Sequence, residues 1–177
     1  MVWAGIILLL FLAMWRGLRS RAGAPAAGTM APEFVLPSQD GTAVGLAQFR
    51  GQWVVVYFYP KDKTPGCTLE AREFQRDLGE FVRRNVVVLG VSLDSADSHQ
   101  SFCEKEGLSF RLLSDRGGKV AAAYGSLLNF VFVKIAARRT FLIDPQGKIA
   151  KSFLKVSPLG HSREILAELE TKGKADR

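Results

Sequence analysis

The sequence predicts an α/β fold: a central mixed β-sheet flanked by helices, preceded by a short N-terminal hydrophobic segment. Three observations carry that expectation. Two uninterrupted β-branched and aromatic runs, Trp53 to Tyr59 and Val86 to Ser92, have the composition of strands buried on both faces. Between them Phe74, Leu78, Phe81 and Val82 recur at helical spacing, the pattern of an amphipathic helix. Further on, Thr140 to Ile143 and Lys148 to Phe153 flank Asp144-Pro-Gln-Gly147, a turn signature that reads as a hairpin.

Strand, helix and strand at this spacing form a right-handed crossover with parallel strands. Two more helical stretches follow, roughly Asp97 to Glu106 and Val120 to Tyr124, and a final helix carries Ile165, Leu166 and Leu169. This order suits a thioredoxin-like sheet with helices on both faces.

A chain of 177 residues suits one domain with a substantial core. The formal charge of +7 is concentrated at the ends. Arg16, Arg19 and Arg21 lie near the start, and Lys172, Lys174 and Arg177 near the finish. The remainder alternates in sign, as in Glu104-Lys105-Glu106, with no basic element interleaved with aromatics. That excludes the usual nucleic-acid-binding surface. Two cysteines are too few for a disulfide scaffold, and with two histidines they do not make a zinc site.

Val2 to Trp15 is an apolar run followed at once by the arginines. It is shorter than the roughly 18–20 residues of a comfortable membrane span. Leu18 and the long stem of Arg16 could extend it, giving a membrane contact over residues 2–18. The expected organisation is therefore a hydrophobic segment with a basic flank at 1–21, read as a membrane anchor, then a linker at 22–30. The domain is expected over 31–172, starting near Pro32, with a tail at 173–177. A spanning segment with this flank keeps the domain cytoplasmic. A cleaved signal on an exported protein and a soluble cytoplasmic chain are the alternatives.

Chemistry concentrates in Pro60-Lys-Asp-Lys-Thr64-Pro65-Gly66-Cys67-Thr68-Leu-Glu70. The segment follows the C-terminal end of a buried strand and opens a helix, where open α/β sheets place ligands. Pro65 and Gly66 punctuate the turn, so Cys67 is expected in the first helical turn. Unpaired backbone N–H groups and the positive end of the helix dipole stabilise a thiolate there. In isolation, Cys67 would read as a small buried hydrophobe; this context favours a nucleophile.

The segment resembles the peroxiredoxin active-site pattern P-x-x-x-T-x-x-C, with Pro60, Thr64 and Cys67 at its three fixed positions. The longer string YFYPKDKTPGCTLEA is similar to the bacterioferritin comigratory protein, or peroxiredoxin Q, branch of the thioredoxin-like superfamily. The likeness continues through VLGVSLDSADSHQSF, FRLLSD, AAAYG and RRTFLIDPQGKI. It implies a peroxidase for hydrogen peroxide and organic hydroperoxides, with no metal or organic cofactor. Cys67 would be the peroxidatic cysteine, becoming a sulfenic acid. Thr64 would hydrogen-bond the peroxide, and Pro60 would shield the thiolate from water. Arg138 resembles the family's distant arginine and is preferred over Arg139 on strand register. Gly66 and Glu70 are candidate substrate-binding positions; Glu70 either orients the arginine or lies at the surface.

Many members of this branch carry a resolving cysteine five residues after the peroxidatic one, where this chain has Arg72. Other members place it on the later helix, and Cys103 resembles that arrangement. The resemblance then implies an intramolecular disulfide recycled by thioredoxin or a similar dithiol protein. The alternatives are a one-cysteine peroxidase using an external thiol, and a catalytically silent membrane-tethered module of the same fold. The expected assembly is a monomer or weak homodimer. His99 and His161 read as structural. Leu127 to Val133 is open: a peroxide entrance, a subunit contact, a membrane contact, or an added core strand or helix.

Overall fold

The computed structural model describes residues 23–130 and 132–175, the side chains of 173–175 excepted. The chain forms β1 (Val35–Pro37), β2 (Ala43–Gly45), a 3₁₀ turn (Leu46–Phe49), β3 (Trp53–Phe58), α1 (Pro65–Arg83), β4 (Val86–Ser92) and α2 (Ala96–Glu106). It continues through β5 (Arg111–Ser114), α3 (Lys119–Ala123), β6 (Leu127–Asn129), β7 (Lys134–Ala136), β8 (Arg139–Ile143), β9 (Ile149–Phe153) and α4 (His161–Ala175). Five strands make one mixed sheet in the order β5-β4-β3-β8-β9. β3, β4 and β5 run parallel, and β8 and β9 return antiparallel. This is a thioredoxin-like fold.

The sequence explains the layout. In β3, residues Val54 to Phe58 are all buried, as a strand with a packed layer on each face requires. Val55 and Tyr57 join Phe74 and Phe81 of α1, Phe102 of α2 and Ile165 of α4 in one core. Val54, Val56 and Phe58 point the other way, into a second core with Phe34, Leu36, Leu46, Tyr124 and Phe141. All three long helices therefore share one face. The other face is covered by the β1–β2 hairpin, the 3₁₀ turn and the short α3. The expectation of helices on both faces holds only through that short helix. Two successive right-handed crossovers, β3–α1–β4 and β4–α2–β5, place both helices on the same side.

Element ends shift by a residue or so from expectation, and the hairpin at Asp144 forms as read. Gly147 adopts φ 83°, and Asp144 Oδ1 accepts from the N–H groups of Gln146 (3.0 Å) and Lys148 (2.8 Å). α2 is closed at both ends: the Ser95 hydroxyl accepts from the Ser98 N–H (3.2 Å), and Gly107 turns left-handed at φ 64°.

Three expectations change. Val82 is 65% exposed, because α1 needs only its Phe74–Phe81 side against the sheet. The segment expected as a linker is attached from Pro25 onward. The Pro25 carbonyl accepts from the Ser152 hydroxyl (3.3 Å), the Gly28 N–H donates to Ile149 (2.8 Å), and Met30 bridges Lys148 along the β9 edge. Leu127 to Val133 is not core: β6 and β7 form a separate two-stranded hairpin with Phe132 94% exposed. Among the described residues no helix is long and apolar enough to cross a membrane. The expected anchor over residues 2–18 lies outside the described residues.

Gly90 in β4 shows how closely the helical face is packed. A Cβ there would stand 2.6 Å from Leu112 Cδ2 and 2.7 Å from the Tyr57 ring. Gly90→Ala should cost about 1–3 kcal/mol of stability, read as a lower urea midpoint with unchanged slope. An unaltered midpoint would show that the two side chains can move aside freely.

Candidate active site

The site forms where β3 ends and α1 begins. Pro60 stops the strand and is half-buried, and Lys63 turns the chain back with φ 62°. Thr64 is the N-cap of α1, but its hydroxyl donates back to the Lys61 carbonyl (3.0 Å) instead of capping the helix. Its carbonyl accepts the first backbone bond, from Thr68 N–H at 2.8 Å. Pro65 has no N–H to satisfy, so Gly66 and Cys67 carry the first N–H groups without helical acceptors. No acidic residue lies in the first turn to offset the positive end of the dipole. Cys67 therefore sits in the first turn of α1, and it is only 2% exposed.

Arg138 reaches this thiol from the loop before β8. Its Nη2 lies 3.3 Å from Cys67 Sγ, and its Nη1 donates to Glu70 Oε2. Gly66 makes the approach possible: a Cβ there would stand 3.3 Å from Arg138 Nη2. Arg139 turns to the opposite side and donates to the Gly125 carbonyl (2.6 Å), as alternation along a strand dictates.

Of the two expected positions, Glu70 takes the one beside the arginine and not the surface: it is fully buried behind Arg138 and accepts from its Nη1. Its Oε1 has no hydrogen-bond partner among the described residues. Burial pushes its carboxyl up to about 7, against the pull of Arg138 beside it. Burial also weighs against the Arg138 charge, but Glu70 and Cys67 offset it and hold the guanidinium above its ordinary range.

Cys103 lies on α2, is 7% exposed, and shares the helical-side core with Cys67 and Tyr57. Both cysteines are free thiols. Burial, reinforced by Asp62 and Glu104, pushes the Cys103 thiol up to about 11.

A second polar cluster, which the sequence reading missed, ties the turn after β3 to α2. Asp62 is buried and accepts from the Tyr59 hydroxyl (2.7 Å) and the Ser98 hydroxyl (2.7 Å). His99 Nδ1 stands 2.9 Å from Asp62 Oδ2, the oxygen that Ser98 also bonds, and the Asp62 backbone N–H donates to Asp94 Oδ2 (2.9 Å). Burial opposes the Asp62 charge, but His99, Tyr59 and Ser98 hold its carboxyl below the usual range. An aspartate between two lysines looks like a solvated loop residue, so nothing local in the sequence marks it. His99 and His161 are both buried and hydrogen-bonded, His161 to Thr140 Oγ1 (2.8 Å) as the first residue of α4.

The AhpC/TSA family model matches residues 27–152, which take in the sheet up to Ser152 of β9 together with Pro60, Thr64, Cys67, Glu70, Cys103 and Arg138. The chain belongs to that family. A relative described as a putative peroxiredoxin bcp from Helicobacter pylori is 42% identical over 146 residues, covering 80% of this chain and 96% of its own. The chloroplastic peroxiredoxin Q of Oryza sativa subsp. japonica is 39% identical over 151 residues, covering 83% and 69%. Among solved structures, a cysteine mutant of Xylella fastidiosa PrxQ superposes with a TM-score of 0.79 at 35% identity, covering 84% and 98%. The bacterioferritin comigratory protein of Xanthomonas campestris, whose structures address alkyl peroxide reduction, gives 0.77 at 35%, covering 83% and 99%. This peroxiredoxin is thus a thiol-dependent peroxidase of the Bcp/peroxiredoxin Q kind.

The raised Glu70 pKa fixes the sign of a pH effect. The folded chain holds this proton up to about 7, whereas the unfolded reference loses it near 4.5. Its contribution to stability is greatest below the lower value and is lost as pH climbs to the upper one. Urea unfolding of wild type and Glu70→Gln should show the wild type losing ground to the variant across that interval, then a constant difference. A difference independent of pH would reject the shift.

Proposed function

We propose that Cys67 is the peroxidatic nucleophile and that Cys103 resolves its oxidised form. The observation carrying this reading is the contact between Arg138 and Cys67 Sγ at 3.3 Å, at the first turn of a helix with no acidic residue in that turn. The Cys67 thiolate attacks one peroxide oxygen; an S–O bond forms as the O–O bond breaks. The departing alkoxide or hydroxide takes a proton and leaves as alcohol or water. Arg138 offsets the negative charge that moves from sulfur to the leaving oxygen, while Glu70 fixes the guanidinium's direction. Thr64 holds the peroxide by its hydroxyl at the mouth of the turn, and half-buried Pro60 limits water there.

Resolution follows. The Cys103 thiolate attacks the Cys67 sulfenic acid, the S–S bond forms, and hydroxide leaves as water. A thioredoxin-type dithiol then reduces the disulfide. Burial keeps Cys103 protonated and covered in the closed structure, so this step requires α2 to open locally. Two cysteine-to-serine mutants of Xanthomonas campestris peroxiredoxin Q support the pairing. The mutated cysteines stand as far apart along that chain as Cys67 and Cys103 do here.

Two experiments test this reading. One equivalent of hydrogen peroxide should remove both thiols with loss of two hydrogens in the intact mass, and neither Cys67→Ser nor Cys103→Ser should show it. A sulfenic or sulfinic adduct on Cys67 in wild type, with Cys103 still free, would instead make this a one-cysteine peroxidase. Arg138→Ala should lower the rate constant for peroxide about 10²–10³-fold, the effect of removing one positioned donor. A loss of less than tenfold would move the electrostatic role elsewhere.

A further inference from the structure

The domain's exposed apolar side chains are distributed unevenly. β3 ends at Phe58, which pairs with Arg139, the first residue of β8. That end of the sheet carries Cys67 and Arg138. Leu154 (47% exposed) follows β9 there, and Leu159 (68%) stands in the loop that Gly160 N–H pins to Glu73 Oε2 (2.7 Å) on α1. Pro158 of the same loop comes near Gly66.

The β6–β7 hairpin rises from the same end. Its base is closed by Ala137 N–H to the Ser126 carbonyl (2.6 Å), immediately before Arg138, and Leu127 packs near Gly118 and Leu93 beyond the ends of β4 and β5. Its tip is closed by Phe130 N–H to the Val133 carbonyl (2.8 Å), yet Phe130 (58%), Phe132 (94%) and Val133 (56%) stand open to solvent. Two phenylalanines exposed to this extent on a two-stranded ribbon stabilise nothing in the domain itself; exposed apolar patches of this kind mark contacts.

Charge and chain direction select the contact. Lys134 at the tip end of β7, Lys155 after Leu154, and Lys61 and Lys63 beside the site are all exposed, so the apolar tips stand within a basic rim. That combination matches an anionic phospholipid surface, with aromatic rings at the acyl boundary and ammonium groups among the headgroups. The first described residues run antiparallel to β9, from Pro25 at Ser152 to Gly28 at Ile149. The described chain therefore begins at the Phe153 end, the catalytic end. The preceding sequence is the apolar run Val2 to Trp15 with Arg16, Arg19 and Arg21.

We propose that the catalytic end of the domain docks on an anionic lipid bilayer, with the β6–β7 tip inserted and the lysines against the headgroups. The Cys67 site then faces the membrane, and its substrates include hydroperoxides carried on lipid chains. This last clause rests on the peroxidase reading; the docking itself does not.

The full chain carrying Phe132→Trp tests the surface. Vesicles of phosphatidylglycerol and phosphatidylethanolamine should shift its emission to the blue. Bromination of the acyl chains should quench it beyond the background that Trp3, Trp15 and Trp53 give in the unsubstituted chain. No added quenching would overturn the proposal. A blue shift that depends on protein concentration without vesicles would also overturn it, in favour of self-association. In parallel, the double variant Phe130→Ser, Phe132→Ser should reduce turnover of phospholipid hydroperoxide in those vesicles about tenfold while leaving soluble hydrogen peroxide turnover unchanged. Equal rates on both substrates in variant and wild type would reject docking and leave the peroxidase standing. Absence of turnover on both substrates in wild type would reject the peroxidase reading, and the quenching result would still decide the docking.

Discussion

The Arg138 guanidinium places a cation within hydrogen-bond reach of two buried groups, Cys67 and Glu70. Each of the three makes sense only with the others present. Without Arg138, Glu70 would be an isolated carboxyl in an apolar core, and such a group protonates rather than stays charged. Without Glu70, the guanidinium would be free to swing, and its distance to the sulfur would no longer be set by the sheet. The placement is eased by the glycine at position 66 and depends on a strand break at Pro60 and on β8 antiparallel beside β3, so that Arg138 meets the start of α1. The sheet's topology is thus the instrument that brings residues 71 positions apart into one electrostatic unit.

Around that unit the polypeptide is held by polar contacts that exclude water. The Asp62 cluster fastens the turn bearing Pro60 and Thr64 to the first turn of α2, which Ser95 caps, and Cys103 lies one turn beyond His99. The two cysteine-bearing segments are therefore coupled mechanically. A disturbance of α2 is felt at the turn below Cys67, and the reverse. Tyr57 lies between them, stacked on Tyr59 and Phe74, its hydroxyl without a partner among the described residues.

Much of this was legible in the residues. Continuous β-branched runs gave β3 and β4, helical spacing gave α1, and Asp-Pro-Gln-Gly gave the β8–β9 hairpin, because each depends on local chemistry. The position of Cys67 in the first turn was readable for the same reason, and strand alternation separated Arg138 from Arg139. What could not be read depends on which distant groups meet. Glu70 is an ordinary helix-surface residue by pattern, and only the arrival of Arg138 from β8 makes its burial tolerable. Asp62 between two lysines carries no sign that a tyrosine, a serine and a histidine converge on it. Leu127 to Val133 is apolar enough for a core strand, but the sheet's two edges are met elsewhere, β5 by Ser38 and Gln39 and β9 by Pro25 to Met30. Pro25 to Met30 looked like linker because its attachment to β9 uses backbone groups, which any sequence supplies.

The sheet separates two cores that share no side chains, with every long helix on one side. One layer can therefore loosen while the other keeps the strands in register. The molecule behaves like a hull with a fixed keel and a deck that can be lifted. Work done on the deck, where both cysteines lie, does not have to be repaid by rebuilding the frame.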